Sequence, residues 1–244
     1  MEQKNKIRKA AKKAADILYP VRCPLCGQIP WGKDPHGRTC DRCAAGLVYT
    51  GENYCMKCGR PIPSEREEYC RDCLRRRHSF DRCRAVFSYQ GAVRISLYRF
   101  KYANKREYAS YYSEEIWRYL GEWITGLGVD VILPVPIHPK RRRQRGYNQA
   151  EVLARALSSL SGLPADTKSL ARVRNTVPQK QLTAAERASN LKGAFRVSGK
   201  NLKGMSVLLV DDIYTTGATA DAAAKTLKES GVKAVYVVCV AIGG

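Results

Sequence analysis

Residues 207–219 read VLLVDDIYTTGAT, and this stretch decides the fold. Its first four residues are apolar, and a short run with β-branched members is typical of a strand covered on both faces of a parallel sheet. Residues 218–229 (ATADAAAKTLKE) are strong helix formers. The turn between strand and helix therefore lies at the carboxyl edge of a parallel sheet, where the ligands of such sheets collect.

The turn carries polar groups suited to a sugar phosphate. Gly217 lets the backbone approach a ligand closely, and the free N–H groups of the helix that begins there point at an anion. Three threonines add hydroxyl donors: Thr215, Thr216 and Thr219. Asp211 and Asp212 repel an anion, so they suit the neutral hydroxyls of a ribose, or a cation, beside it. A plain strand-to-helix turn with an Asx or Thr cap is the alternative, and the combination of these residues disfavours it.

This segment resembles the 5-phosphoribosyl-1-pyrophosphate (PRPP) loop of type I phosphoribosyltransferases, in which an apolar strand leads into D-D-x-x-T-T-G-x-T. The resemblance implies that Asp211 and Asp212 hold the ribose 2′- and 3′-hydroxyls. It also assigns the cradle of the 5′-phosphate to five consecutive positions: Thr215, Thr216, Gly217, Ala218 and Thr219.

The first third of the chain is rich in cysteine. Nine of the ten cysteines precede residue 84, and eight of them form four C-x-x-C knuckles in a row. Each knuckle can place two thiolates on one tetrahedral metal, so the eight fill two structural zinc sites. The first residues, MEQKNKIRKAAKK, contain no apolar h-region or cleavage site, so we expect zinc in a reducing cytoplasm rather than a disulfide scaffold.

We favour sequential pairing of the knuckles into two zinc ribbons. One ion then takes Cys23, Cys26, Cys40 and Cys43, and the other takes Cys55, Cys58, Cys70 and Cys73. Spacing alone leaves a cross-braced arrangement open. His36 and His78 lie near the knuckles, but the thiolates already fill two tetrahedra, so we expect both histidines on the surface. Cys239 lies in an apolar run and is expected in the core.

The formal net charge is +21, and each four-cysteine zinc site lowers it by about two. The protein stays strongly basic, which favours nucleic acid or a heavily phosphorylated substrate as a partner over mere surface solvation. We assign nucleic-acid contacts to one basic run: Lys140, Arg141, Arg142 and Arg143. No apolar stretch is long enough to span a membrane. Residues 4–18 favour a basic amphipathic helix that packs on the zinc module.

Beyond Cys83 the pattern changes to alternating strands and helices, typical of a layered α/β domain. The predicted fold class is α/β: a type I phosphoribosyltransferase-like parallel sheet flanked by helices, preceded by a small double zinc-ribbon module. The expected units are a basic N-terminal helix (1–19), the double zinc ribbon (20–83) and the phosphoribosyltransferase-like domain (84–244). Predicted strands are 84–89, 131–135, 169–173, 207–210 and 234–242. Predicted helices are 92–102, 107–123, 148–160, 184–191 and 218–229.

A second turn follows the strand at 131–135 and opens into HPKRRRQRGYNQ, residues 138–149. In this basic turn before a helix, guanidinium groups and helix N–H groups can meet an anion together. It suits the pyrophosphate half of PRPP, with Arg145 as the main contact and Arg141 to Arg143 as support. A solvated basic loop is the alternative. Residues 175–183 form a third polar segment, of the kind that closes over a substrate.

Four features, in this order, resemble the ComF family of bacterial competence proteins, ComFC type. They are the zinc ribbon, the RGYNQ segment (145–149), a Q-x-x-L-x-x-x-x-R-x-x-N segment (Gln179, Leu182, Arg187 and Asn190) and the D-D-x-x-T-T-G-A-T loop. The resemblance implies a cytoplasmic protein linked to DNA uptake and natural transformation, with the uptake machinery and single-stranded DNA as partners. It names no acceptor and no catalytic residue.

Two functions follow from these features. The first is a Mg²⁺-dependent phosphoribosyltransferase, in which the metal and arginines neutralise the departing pyrophosphate. The second is a non-catalytic PRPP sensor that holds single-stranded DNA, and arginines beside aromatic residues favour it: Tyr98, Phe100, Tyr102 and Tyr147. Of these, we expect Tyr98 and Phe100 to belong to the core instead.

Overall fold

The computed structural model describes residues 22–29, 38–175, 191–199 and 201–243. Several predicted features lie outside these ranges. They are the basic segment 4–18, His36, nearly all of the predicted helix 184–191, and the four residues Gln179, Leu182, Arg187 and Asn190.

The described residues form six strands and seven helices. The strands are β1 Arg82–Ser88, β2 Val131–Pro134, β3 Leu170–Arg172, β4 Phe195–Val197, β5 Ser206–Tyr214 and β6 Ala234–Ile242. The helices are α1 Asp41–Ala45, α2 Arg71–Arg75, α3 Gly91–Tyr102, α4 Tyr108–Gly126, α5 Pro139–Arg145, α6 Gln149–Ser161 and α7 Ala218–Glu229. Within these ranges, none of the helices has the length and apolar character needed to span a bilayer.

Four strands form the predicted parallel sheet, in the spatial order β1-β6-β5-β2. Both faces are covered, as the unbroken apolar runs predict. Along β5, Val207 and Leu209 pack on the side of α7, whereas Leu208 and Val210 pack on the side of α4 and α6. Strands β3 and β4 form a separate antiparallel pair. The α/β fold class is confirmed.

The two cysteine clusters pack on opposite faces of this sheet. Cys23 and Cys43 belong to the apolar core on the α4 face, and Cys55 and Cys58 belong to the core on the α7 face. Hydrogen bonds to the main chain of each cluster hold it against the α/β domain. The Arg99 guanidinium donates to the carbonyl of Cys26 at 2.7 Å, on the first of these faces.

The second cluster approaches β1 so closely that only glycine fits at one position. Gly59 has φ of 73°, and a Cβ there would lie 2.4 Å from the carbonyl oxygen of Cys83. The amide of Cys83 donates to the carbonyl of Lys57 at 2.8 Å. The zinc module is therefore built into the α/β domain rather than tethered to it.

The predicted basic turn at 138–149 proves to be partly helical. Residues 139–145 form α5 because Pro139 pre-sets the first helical position and the run of Lys, Arg and Gln is favourable to helix. The His138 ring accepts from the amide of Lys140 at 3.3 Å. Gly146, at φ 80°, ends the helix in the left-handed conformation.

Strand β5 is longer than predicted. Its pairing with β6 continues through Ile213 and Tyr214, so the two acids lie inside the strand rather than just beyond its end. Strand β4 was not predicted. The short helices α1 and α2 were not predicted either. The bounds of α7 and β6 agree with the prediction, and those of β1, β2, β3, α3, α4 and α6 differ from it by at most three residues at either end.

Candidate functional site

Asp211 and Asp212 occupy the carboxyl half of β5, between β6 and the end of β2. The amide of Asp212 donates to the Asp211 carboxylate at 2.8 Å. The ammonium group of Lys101, at the end of α3, lies 2.9 Å from the Asp212 carboxylate. Sequence analysis did not identify Lys101. No local motif marks it, because its partner is more than a hundred residues away.

The environment of the acids sets their charge. Burial and the adjacent Asp212 raise the pKa of Asp211 to about 7, while Lys101 and Arg172 oppose this rise. Burial alone lowers the pKa of Lys101, but the Asp212 carboxylate raises it overall. Near neutral pH, this edge of the sheet therefore holds one carboxylate paired with an ammonium group and one carboxyl group that changes its protonation state.

The turn after β5 has the geometry of an anion cradle. Gly217, at φ 75°, is the residue before α7, and a Cβ there would lie 2.4 Å from the hydroxyl oxygen of Tyr214. A small cavity of about 40 Å³ opens at this turn. Four of the predicted cradle residues line it together with Asp211: Thr215, Gly217, Ala218 and Thr219. Thr216 does not line this cavity.

The basic segment after β2 lies at the same edge. Arg145, at the end of α5, donates to the hydroxyl of Tyr102 at 3.2 Å and stacks 5.0 Å over its ring. Its charge opposes protonation of the neighbouring Lys101. The structure thus brings the predicted pyrophosphate contact next to the Lys101–Asp212 pair.

The four predicted nucleic-acid residues divide into two groups. Lys140, Arg142 and Arg143 are exposed, and Arg142 lies 3.1 Å from Glu151. Arg141 is half-buried, and burial together with Arg145 lowers its pKa. Arg141 therefore lies beside Arg145 at the edge of the sheet, whereas Arg142 and Arg143 border a cavity together with Arg172.

Arg172, on β3, is a buried cation near Asp211 that sequence analysis missed. It is buried, and burial together with Arg141 lowers its pKa to about 10, against the attraction of Asp211. The sequence did contain a signal for this residue, because side chains at alternate positions of a strand face the same side. Leu170 and Arg172 occupy alternate positions of one short strand, so both are buried if either one is.

The eight knuckle cysteines form two clusters in the sequential pairing. The ligand atoms of Cys23, Cys26, Cys40 and Cys43 lie within 4.8 Å of one another, and so do those of Cys55, Cys58, Cys70 and Cys73. The Sγ atoms of Cys26 and Cys40 are 3.8 Å apart, and those of Cys58 and Cys70 are 3.7 Å apart. Tetrahedral Zn–S bonds of about 2.3 Å place sulfurs roughly 3.8 Å apart. Both clusters therefore fit structural zinc.

Comparison with known proteins agrees with both halves of this description. A double zinc ribbon domain model matches residues 14–74, and a phosphoribosyl transferase domain model matches residues 143–243. The DNA utilization protein YhgH of Salmonella typhimurium is 30% identical over 226 residues, which cover 91% of this chain and 97% of the relative. The chain belongs to the ComF family.

Two further relatives carry the family name. Competence protein F of Haemophilus influenzae is 31% identical over 193 residues, covering 75% of this chain and 82% of the relative. Competence protein ComFC of Bacillus subtilis is 29% identical over 236 residues, covering 91% and 94%.

In this ComF chain, the aromatic residues near the cleft divide into core and surface. Phe100 and Tyr147 are buried, and the Tyr147 hydroxyl donates to the carbonyl of Phe100. Tyr98 and Tyr102 are 60% and 54% exposed, with ring centroids 4.9 Å apart. The expectation that Tyr98 is a core residue was wrong. On helix α3 the buried positions are Val93, Ser96, Leu97 and Phe100, and position 98 projects away from them.

The expectation of a surface position for His78 was also wrong. Its side chain is only 2% exposed, and its Nδ1 atom lies 2.6 Å from the carboxylate of Asp221, on the first turn of α7. The same carboxylate accepts from the amide of Ser79 at 2.8 Å. In this ComF chain, His78 and Ser79 thus connect the end of the second ribbon to α7, the helix that follows the phosphate turn.

Proposed function

We propose that this ComF-family protein binds PRPP together with Mg²⁺ in the cleft between the turns that follow β2 and β5. One observation carries the proposal: the acid pair, the glycine-threonine turn and Arg145 occupy one carboxyl edge of the parallel sheet. In open α/β sheets this edge is where ligands bind.

The chemistry of each group supports a specific role. Asp211 and Asp212 accept hydrogen bonds from the two ribose hydroxyls. The turn and the first N–H groups of α7 bind the 5′-phosphate. Arg145, with Arg141 and Arg172, faces the pyrophosphate, since guanidinium groups bind phosphate oxygens in pairs. Mg²⁺ supplies charge neutralisation on the pyrophosphate when it is bound.

Lys101 holds Asp212 in place before PRPP arrives. The pair is partly buried, so the carboxylate is already desolvated and oriented. A carboxylate fixed in this way need not lose rotamer freedom on binding, which favours tight capture of the ribose.

Isothermal titration of the zinc-loaded protein with PRPP, with and without Mg²⁺, tests the proposal. We expect Mg²⁺-dependent binding that falls at least tenfold in Asp211→Asn/Asp212→Asn. Asp130→Asn is the matched control, because Asp130 caps the amino end of β5 at Ser206 rather than its carboxyl end. Absence of PRPP binding by the unmodified protein rejects the proposal.

The names of the relatives suggest a setting in DNA uptake and natural transformation, and a cytoplasmic location accords with thiolate zinc sites. As a transferase, the protein breaks the C1–O bond of PRPP, releases pyrophosphate and forms a new bond from C1 to a nucleophilic atom of the acceptor. Incubation with labelled PRPP, Mg²⁺, bases and single-stranded oligonucleotides tests for this transfer. Release of pyrophosphate together with a labelled acceptor separates catalysis from sensing.

A second candidate, a PRPP sensor that holds single-stranded nucleic acid, is favoured by the outer face of α3. Tyr98 and Tyr102 are exposed there with their rings in tilted contact, and Arg145 lies over Tyr102. Exposed aromatic rings beside arginines bind unpaired bases without sequence preference. This face adjoins the cleft, so a strand bound to it would pass the PRPP site.

Fluorescence anisotropy with a labelled oligothymidine tests this second candidate. We expect Tyr98→Ala/Tyr102→Ala to weaken binding at least tenfold, and affinity to fall steeply with salt. Tyr69→Ala is the matched control, since Tyr69 is exposed on the second ribbon, away from α3. Equal loss in both variants, or no binding, counts against an aromatic platform on α3.

A further inference from the structure

A second cavity, of about 230 Å³, lies between the second zinc cluster and the phosphate turn. From the ribbon it is lined by Arg60, Arg75 and Arg76, and from the turn by Thr216 and Tyr214. It shares only Tyr214 with the smaller cavity of the PRPP cradle. The same turn therefore borders two separate cavities.

Two residues in the lining of this cavity each carry a donor atom that has no hydrogen-bond partner among the described residues. These atoms are Nε of Arg60 and Oγ1 of Thr216, and both atoms are shielded from solvent. Buried polar groups in folded proteins are nearly always hydrogen-bonded. One residue from each side of the same cavity carries such an atom, and this points to a ligand with acceptor oxygens.

The other polar groups around the cavity are either cationic or already paired with a neighbouring residue, so they do not repel an anion strongly. Arg60 also donates to the carbonyl of Thr215 at 3.1 Å, which holds the ribbon against the turn. The one carboxylate in the lining, Asp72, is 72% exposed and 3.7 Å from Arg60, so water screens it. His78 is committed to Asp221, as described above.

The thiolates of the second cluster also border the cavity, through Cys58 and Cys73. Their negative charge offsets part of the arginine charge. Two explanations of the arginines therefore compete. In the first, the arginines only neutralise the charge of the thiolates. In the second, their forked N–H donors also bind an anion, and phosphate oxygens have the geometry that matches such a fork.

We propose that this cavity binds a phosphate group, with Arg60, Arg76 and Thr216 as its donors. Binding gives the two unpartnered atoms an acceptor. Both atoms are shielded in this structure, so binding requires side-chain rotations that turn the Thr216 hydroxyl and the Arg60 Nε–H toward the cavity. The two cavities share the turn but only Tyr214 of their lining, so this site stands even if the cleft does not bind PRPP. Its phosphate comes from a free anion or from the end of a nucleic-acid strand.

Titration of the zinc-loaded full chain with inorganic phosphate, followed in ¹H–¹⁵N correlation spectra, tests the proposal. The Nε–H signal of Arg60 reports directly on the cavity. We expect a saturable shift of this signal that chloride at equal ionic strength does not produce. Thr219→Val, which alters only the PRPP cradle, should leave the shift unchanged, because Thr219 does not line the second cavity.

Two variants that alter opposite walls keep the test independent of folding. Arg76→Ala and Thr216→Val should each weaken the phosphate affinity reported by Arg60 at least tenfold, with zinc content unchanged. Arg66→Ala, in the same ribbon but outside the lining, should have no effect. The proposal is overturned if neither inorganic phosphate nor a 5′-phosphorylated strand shifts the Arg60 signal, or if the shift disappears in Thr219→Val.

Oligonucleotides with and without a 5′-phosphate separate the two sources. An Arg60 shift that only the phosphorylated strand produces assigns the site to a strand end. An equal shift with inorganic phosphate assigns it to a free anion.

Discussion

The ammonium group of Lys101 lies 2.9 Å from the carboxylate of Asp212, so helix α3 reaches across to the carboxyl edge of the sheet. Helix α3 also carries Arg99, which binds the main chain of the first zinc cluster. One helix thus connects a metal cluster to the acid pair of the cleft. The ion pair is partly buried, and this sets the cost of breaking it.

Lys101→Met should destabilise the protein, because it leaves the Asp212 carboxylate in a partly buried place without its cation. We expect a loss of about 2 kcal/mol in the free energy of unfolding, measured by urea denaturation. Lys101→Met/Asp212→Asn should recover most of this loss. Lys105→Met is the control: its exposed pair with Glu107 at 3.4 Å should contribute less than about 0.5 kcal/mol. Equal effects of the two single substitutions would contradict this account.

Asp211→Asn should stabilise the folded protein near pH 8 while it weakens PRPP binding. The pKa of Asp211 is raised from 3.8 to about 7. Between these values the folded chain holds a proton that the unfolded chain has released, so stability falls as the pH rises through this window. The amide avoids that cost, and we expect a gain of about 2 kcal/mol, or roughly 4–8 °C in melting temperature. No gain at pH 8, or an equal gain at pH 4, would show that burial does not strain this carboxylate.

PRPP affinity should rise with pH through the pKa of Asp211, because the ionised carboxylate is the better acceptor for a ribose hydroxyl. With a pKa of about 7, affinity should increase about tenfold from pH 6 to pH 8. Titration calorimetry at several pH values measures this. PRPP also titrates in this range, so Glu229→Gln, far from the cleft on the last turn of α7, serves as the control and should keep the full pH dependence. Asp211→Asn should lose the part of the pH dependence that comes from the protein and keep only the part that comes from the titration of PRPP.

Two zinc ions per chain are expected by atomic emission, one in each cluster. Cys26→Ser/Cys40→Ser and Cys58→Ser/Cys70→Ser should each retain one, because the sequential clusters share no ligand. Cys83→Ala, a buried cysteine outside both clusters, should retain two. Loss of both ions in either double variant would contradict independent sites.

Chelation should also lower the melting temperature, since each cluster is part of an apolar core of the sheet domain.

Local signals accounted for the features that were predicted well. A C-x-x-C knuckle, a glycine at positive φ and an apolar run before a helix each depend on neighbours in the chain, and the zinc knuckles, the phosphate turn and helix α7 agree with them. Where local signals compete, the prediction failed. Residues 139–145 were predicted as a basic turn, but they are also good helix formers. Pro139 at the start and Gly146 at the end stabilise the helix that they form.

The sequence by itself determined the α/β class, the two four-cysteine clusters and the turn that follows β5, because these depend on residue type and short spacing. Only the tertiary structure decided which charges meet. Lys101 reaches Asp212, His78 reaches Asp221 across 143 residues, and Arg60 reaches Thr215 across 155. Such contacts follow from the order of the strands and from where the ribbons dock. That order results from burying apolar surface over the whole chain, and no short segment records it.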